Sequence, residues 1–255
     1  MNKFLLPILV LSVTLSALPI LANQAQSAKK TQTPQGFSWT NISQALFSKK
    51  PPIQPRKGGS RDPLLPTADI CMISPDAPSE RRIVWSDRPI FIWKGAVQKI
   101  AVRAIGSNKD LWSQNVAGAQ NANYTGSALQ PGETYEWLVF IGESPSKFVP
   151  FQVMDAQQRN TPPKSLSSGD TLHKRERITS DLNTLENQLK AKKANSEAIA
   201  LAKANYFIQN QLWSDALQQA YSVENPSREL AQILKDIPDK LCNQEQMVGS
   251  NSPSR

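Results

Sequence analysis

Three textures of apolar and polar positions succeed one another along this chain of 255 residues. From Phe4 to Ala22 the residues are almost continuously apolar, interrupted by Pro7 and Pro19. Between Cys71 and Met154, short runs of β-branched and aromatic residues are separated by turn residues, the signature of strands. The runs predict strands at Arg82 to Trp85, Ile90 to Trp93, Lys99 to Ile105, Leu111 to Val116, Thr134 to Ile141 and Phe148 to Val153. In the third of these, Ile100, Val102 and Ala104 alternate with Lys99, Ala101 and Arg103, so one face turns inward and the other largely meets water. Helical periods do not intervene, which favours an antiparallel sandwich over a βαβ sheet.

The third texture is helical. Ile178, Leu182, Leu185 and Leu189 recur at spacings of four and three. Asp170 or Ser168 is the expected cap of that helix, and Lys190, Lys192 and Lys193 suit the negative end of its dipole. Asn195-Ser196 predicts a second helix through Tyr206 and Ile208, Trp213 to Val223 a third, and Asn225-Pro226 the cap and first turn of a fourth through Ile233 and Leu234. The expected fold class is therefore α+β and multidomain, an antiparallel immunoglobulin-like β-sandwich followed by a small α-helical bundle. The corresponding partition is 1–28 signal peptide, 29–68 basic Pro-rich flexible arm, 69–158 sandwich, 159–170 linker, 171–242 helical domain and 243–255 disordered tail.

The first apolar run reads as an export signal. Lys3 is its only charge, its two prolines leave a usable helix too short to span a membrane well, and small residues follow at Ala22, Ala25 and Ala28. No cysteine follows the run to carry a lipid, so the expected product is secreted or periplasmic and soluble after cleavage. The only two cysteines, Cys71 and Cys242, read in an oxidising compartment as one disulfide, with two unpaired buried thiols as the alternative.

Charge changes the picture of residues 23–68. This stretch holds seven basic residues against one acid, whereas from Asp69 onward 21 basic residues face 20 acidic ones. The net charge of +8 thus belongs to an arm, with Lys49, Lys50, Arg56, Lys57 and Arg61 among the Pro-rich residues. Such an arm would be drawn to anionic envelope polymers, or would serve only as a solvated spacer. Trp39, Ile42, Leu46 and Phe47 share one helical face within it, which offers weak membrane-surface contact as a further expectation.

Catalytic constellations are scarce. His173, the only histidine, lies in a charged run and leaves no histidine cluster for zinc. There is no phosphate-binding loop and no Gly-x-Ser-x-Gly elbow, and Glu133 and Glu136 flank Tyr135 without a defined spatial partner. Asn41-Ile-Ser and Asn123-Tyr-Thr match the glycosylation sequon. Trp85, Trp93, Trp112 and Trp137 are most economically core residues; if one binds a sugar or peptide, Trp112 is the candidate, with Asp110, Ser113 and Gln114 beside it. No cofactor or metal is expected.

Leu129-Gln-Pro-Gly-Glu-Thr-Tyr135-Glu-Trp137-Leu-Val139 resembles the tyrosine corner of fibronectin type III and immunoglobulin-like domains. That resemblance implies a Tyr135 hydroxyl bonded back to the Pro-Gly turn and Trp93 as the buried core tryptophan. Ala204 to Leu217 is similar to the helix junction of a single tetratricopeptide unit, although Gln211 stands where a turn glycine is usual. The assembly as a whole resembles exported cyanobacterial envelope proteins of unknown function. The last resemblance brings no known activity; the binding-type domains, the scarcity of catalytic constellations and the basic arm together lead to the expectation of a non-enzymatic interaction module for a protein or an anionic polymer, not for nucleic acid. A hydrolase or carbohydrate-processing enzyme with unplaced carboxylates is the alternative.

Overall fold

The computed structural model describes residues 38–48, 70–76, 82–155 and 174–249. A first helix, α1 (Trp39–Ser48), precedes eight strands: β1 (Cys71–Ser74), β2 (Ile83–Val84), β3 (Ile90–Lys94), β4 (Lys99–Ala104), β5 (Asp110–Asn115), β6 (Asn121–Asn123), β7 (Thr134–Phe140) and β8 (Pro145–Val153). Helices α2 (Lys174–Ala191), α3 (Ser196–Gln209), α4 (Trp213–Tyr221) and α5 (Arg228–Gly249) complete the chain. The strands form two sheets, one of three in the order β1-β3-β6 and one of five in the order β2-β8-β7-β4-β5.

The expected sandwich followed by helices is present. Its interior joins Met72, Phe91, Trp93 and Ala122 of the smaller sheet to Ile100, Val102, Trp137, Val139, Phe151 and Val153 of the larger. β1 and β6, which carry too few alternating residues to stand out in the sequence, supply the two edges of the smaller sheet. β2 pairs with β8 in parallel, unlike the remaining antiparallel pairs.

Helices and sheet share one core. Phe91 and Trp93 face the sandwich interior, whereas Ile90 and Ile92 on the opposite face of β3 join a cluster with Phe207, Leu217 and Ile237 of the helices. All described residues fall within one compact unit spanning 36–255.

Three expected boundaries are revised. Residues 39–48, placed in a flexible arm, form α1, whose Trp39, Ile42 and Leu46 are buried in the helical core. The apolar face read as a membrane surface is therefore occupied by the protein's own helices. The last helix starts at Arg228, capped by Ser227, whose Oγ accepts from Leu230 N at 3.3 Å, and not by Asn225. That helix also continues through Pro238 to Gly249, past the expected end at 242. Pro238 lacks the N–H that would reach the Leu234 carbonyl. The Tyr221 hydroxyl donates to that oxygen instead, at 3.3 Å, and burial pushes its pKa up to about 12.

Candidate functional site

The tyrosine corner has the bonding the resemblance implied. Gln130 N donates to the Tyr135 hydroxyl at 2.8 Å, Leu129 and Tyr135 are buried, and Gly132 turns with φ +85°, a conformation that a side chain would strain. Trp93 and Trp137 are fully buried in the sandwich core, their rings 6.4 Å apart.

The candidate binding residues of β5 do not converge. Trp112 lies opposite Val102, which faces the core, and Asp110 lies opposite Arg103. The register shifts between these two pairs, so Asp110 turns to the outer face of the sheet, where it forms an ion pair with Arg103. Trp112 is half-buried. Its Nε1 donates to Thr125 Oγ1 at 3.0 Å, and its ring packs 6.0 Å from Phe91 and 5.1 Å from Tyr124. Gly126 closes this corner: a Cβ there would stand 2.6 Å from the Tyr124 ring and 3.1 Å from Trp112 Cβ. Trp112 thus seals the margin of the sandwich more than it presents a platform, and Gln114 remains exposed beside it. His173 and the arm residues Lys49, Lys50, Arg56, Lys57 and Arg61 lie outside the described residues.

A denser polar constellation sits where the helices meet the sheets. Asp215, in the first turn of α4 and only 2% exposed, accepts from Trp85 N and Ser86 N at 2.8 Å each. Arg175 of α2 donates to the Trp85 carbonyl and lies over the Trp85 ring. Burial pushes the Asp215 carboxyl up to about 6, against the opposing pull of the two N–H groups and of Arg175. Burial lowers the Arg175 pKa, while Asp87 and Asp215 act to raise it. Sequence reasoning missed this carboxylate because its segment, Trp213-Ser-Asp-Ala, reads as an ordinary helix start in which an acid suits the dipole.

Two glutamates perform the same service for α1. Glu229 accepts from Thr40 N at 3.0 Å and from Thr40 Oγ1 at 2.7 Å, satisfying the start of α1 from α5. Glu197 accepts from Trp39 Nε1 at 2.9 Å and from Ser227 N at 2.8 Å, joining α1, α3 and the start of α5. Burial alone would raise the Glu197 carboxyl, but bonds from Ser227 and Trp39 outweigh it and hold the group below its ordinary value. The expected Cys71–Cys242 disulfide pins β1 to α5, with Cα atoms 5.9 Å apart.

These contacts define an α+β, disulfide-linked unit in which the buried Asp215 is engaged by backbone donors. Compared with protein-family models and with curated proteins, the chain gives no match. Among the described residues, no group of three or more His, Cys, Asp or Glu side chains is placed to hold a metal ion, and no helix is long and apolar enough to cross a membrane.

Proposed function

We propose that this is an exported, non-enzymatic interaction module whose partner is a protein or an anionic envelope polymer. The carrying observation is the way its acids are committed. Asp215 holds two backbone N–H groups, Glu197 and Glu229 hold helix starts, and Asp110 holds Arg103. Carboxylates bound in this manner fix a scaffold, and none of these four is held as a free acid or base. The disulfide suits an oxidising destination, and residues 1–28 carry the export pattern. The cyanobacterial-type envelope resemblance and the tetratricopeptide-like junction belong to the same reading, in which the arm adds salt-sensitive anionic attraction.

Expression with residues 1–28 in a secreting host tests export: N-terminal sequencing should place the mature start between residues 23 and 29, and an intact Met1 would refute it. Retention on anionic cell-wall polymer tests the arm. Because α1 belongs to the core, the variant should not delete the arm but replace Lys49, Lys50, Arg56, Lys57 and Arg61 by Gln. Retention should drop in that variant and in high salt, and equal retention would remove the arm from the proposal.

A further inference from the structure

An unpaired edge strand offers a row of free backbone N–H and C=O groups, a template on which another strand can pair. The edges of this molecule differ in how they are closed. β1 packs against α5 and is tied to it by the disulfide, β2 has two residues and packs on α4, and β6 has three residues. β5 has six residues, four of them exposed. It also carries Leu111, 52% exposed, and follows Ile105, 58% exposed, the two large apolar side chains most open to water among the described residues.

The ladder shows which backbone groups of β5 are free to pair. Val116 N donates to Gln98 O at 2.8 Å, so alternation turns Gln114 and Trp112 toward β4 and directs the N–H and C=O of Ser113 and Asn115 away from the sheet. From Leu111 to Asn115 the strand has neither a charge nor a proline, and its register shift lies at Leu111, so Trp112 to Asn115 form a regular open edge.

We propose that β5 is a self-association edge, pairing antiparallel with β5 of a second copy so that two five-stranded sheets become continuous. A two-fold axis at Ser113 makes the contact isologous. It sets Ser113 opposite Ser113 and Trp112 opposite Gln114, within the stretch of β5 that follows the register shift at Leu111. No like charges meet in that register, and the one charge of the strand, Asp110, is already paired with Arg103. The outward groups of Ser113 and Asn115 fall at the hydrogen-bonding positions of the new ladder, and the second strand shields Leu111. Pairing of this kind requires neither export nor a foreign partner.

Light scattering on the full chain over a concentration series tests it. The mass should rise from one chain to two. Ser113→Pro deletes an outward N–H that β4 does not use, at an edge position where proline is tolerated, and should remain a single chain throughout. Ser113→Lys places like charges opposite each other at the axis and should also lose the dimer. Circular dichroism and a non-reducing mass, unchanged in both variants, establish that the fold and disulfide persist. A wild-type mass of one chain at every concentration overturns the proposal, as does a dimer that survives both substitutions. A single-chain protein whose β5 amides gain exchange protection only with a synthetic Lys99–Ile105 peptide, the sequence of β4, also overturns it, in favour of pairing with a strand other than β5.

Discussion

Between its two sheets the protein packs Phe91, Trp93, Trp137 and Phe151, with ring centroids 5.0 to 6.4 Å apart. The indole N–H groups of Trp93 and Trp137 lie buried there without a hydrogen-bond partner, as does that of Trp85 at the junction with the helices. Between the smaller sheet and the helices the means are different. Ile90 and Ile92 meet Phe207 and Leu217, but Asp215 and Arg175 bind the chain between β2 and β3, and the disulfide ties β1 to α5. The sandwich interior tolerates two orphaned donors because the area its rings remove from water outweighs them, each orphan costing on the order of 1–3 kcal/mol. The junction adds directional bonds to its apolar contacts, and these fix how helices sit on a sheet where apolar packing alone would allow sliding.

The largest effect should come from the apolar side of this contrast. Trp137→Ala removes a fully buried ring and should cost about 3–5 kcal/mol, read as a lowered denaturant midpoint or failure to fold. Next, Asp215→Ala leaves the Trp85 and Ser86 N–H groups and Arg175 without their carboxylate and should cost about 3 kcal/mol. Asp215→Asn, which keeps an acceptor, should cost less. A result in which the alanine variant is no worse than the asparagine variant would make the junction as apolar in character as the sandwich.

The same carboxylate gives the junction a pH signature. Its folded pKa is about 6 against an ordinary 3.8, so the native state holds this proton more tightly than the unfolded chain. Its contribution to stability is full below 3.8 and falls as pH rises through about 6. Glu186, held near 2 by Lys190 and Lys203, acts in the opposite sense: its stabilising contribution is present above 4.5 and is lost as pH falls toward 2. Denaturant midpoints across the acid range should show the decline toward pH 6 in the wild type and its loss in Asp215→Asn.

Replacing Cys71 and Cys242 together by Ser opens a loop closed over 171 residues and should cost about 2–5 kcal/mol, with thermal melting moved down. The smallest effect is a gain. Gln211 turns between α3 and α4 with φ 60°, and Gln211→Gly should stabilise by about 0.5 kcal/mol in the same melt.

Much of the sandwich was legible because its signals are local. Alternation of Ile100 and Val102 with Lys99 and Arg103, and a Pro-Gly turn before Tyr135, depend only on neighbours in the chain. β1 and β6 were not legible, since strands of four and three residues show no period. The candidate site was legible only in its residue types. Trp112, Asp110 and Gln114 stand two apart in sequence, but one shifted register turns Asp110 to the opposite face.

By itself the sequence determined the order of textures, the corner at Tyr135, the four C-terminal helical segments and the availability of one disulfide, because propensity, period and cysteine count are properties of the chain. Tertiary structure decided that α1 leaves the arm to complete the helical core, that β3 is buried on both faces, that Asp215 becomes the bond between helix and sheet, and that β5 is left as the longest of the sheet edges. Each of these depends on which distant surface arrives to cover a residue, and long-range contact of that kind leaves no period in the sequence.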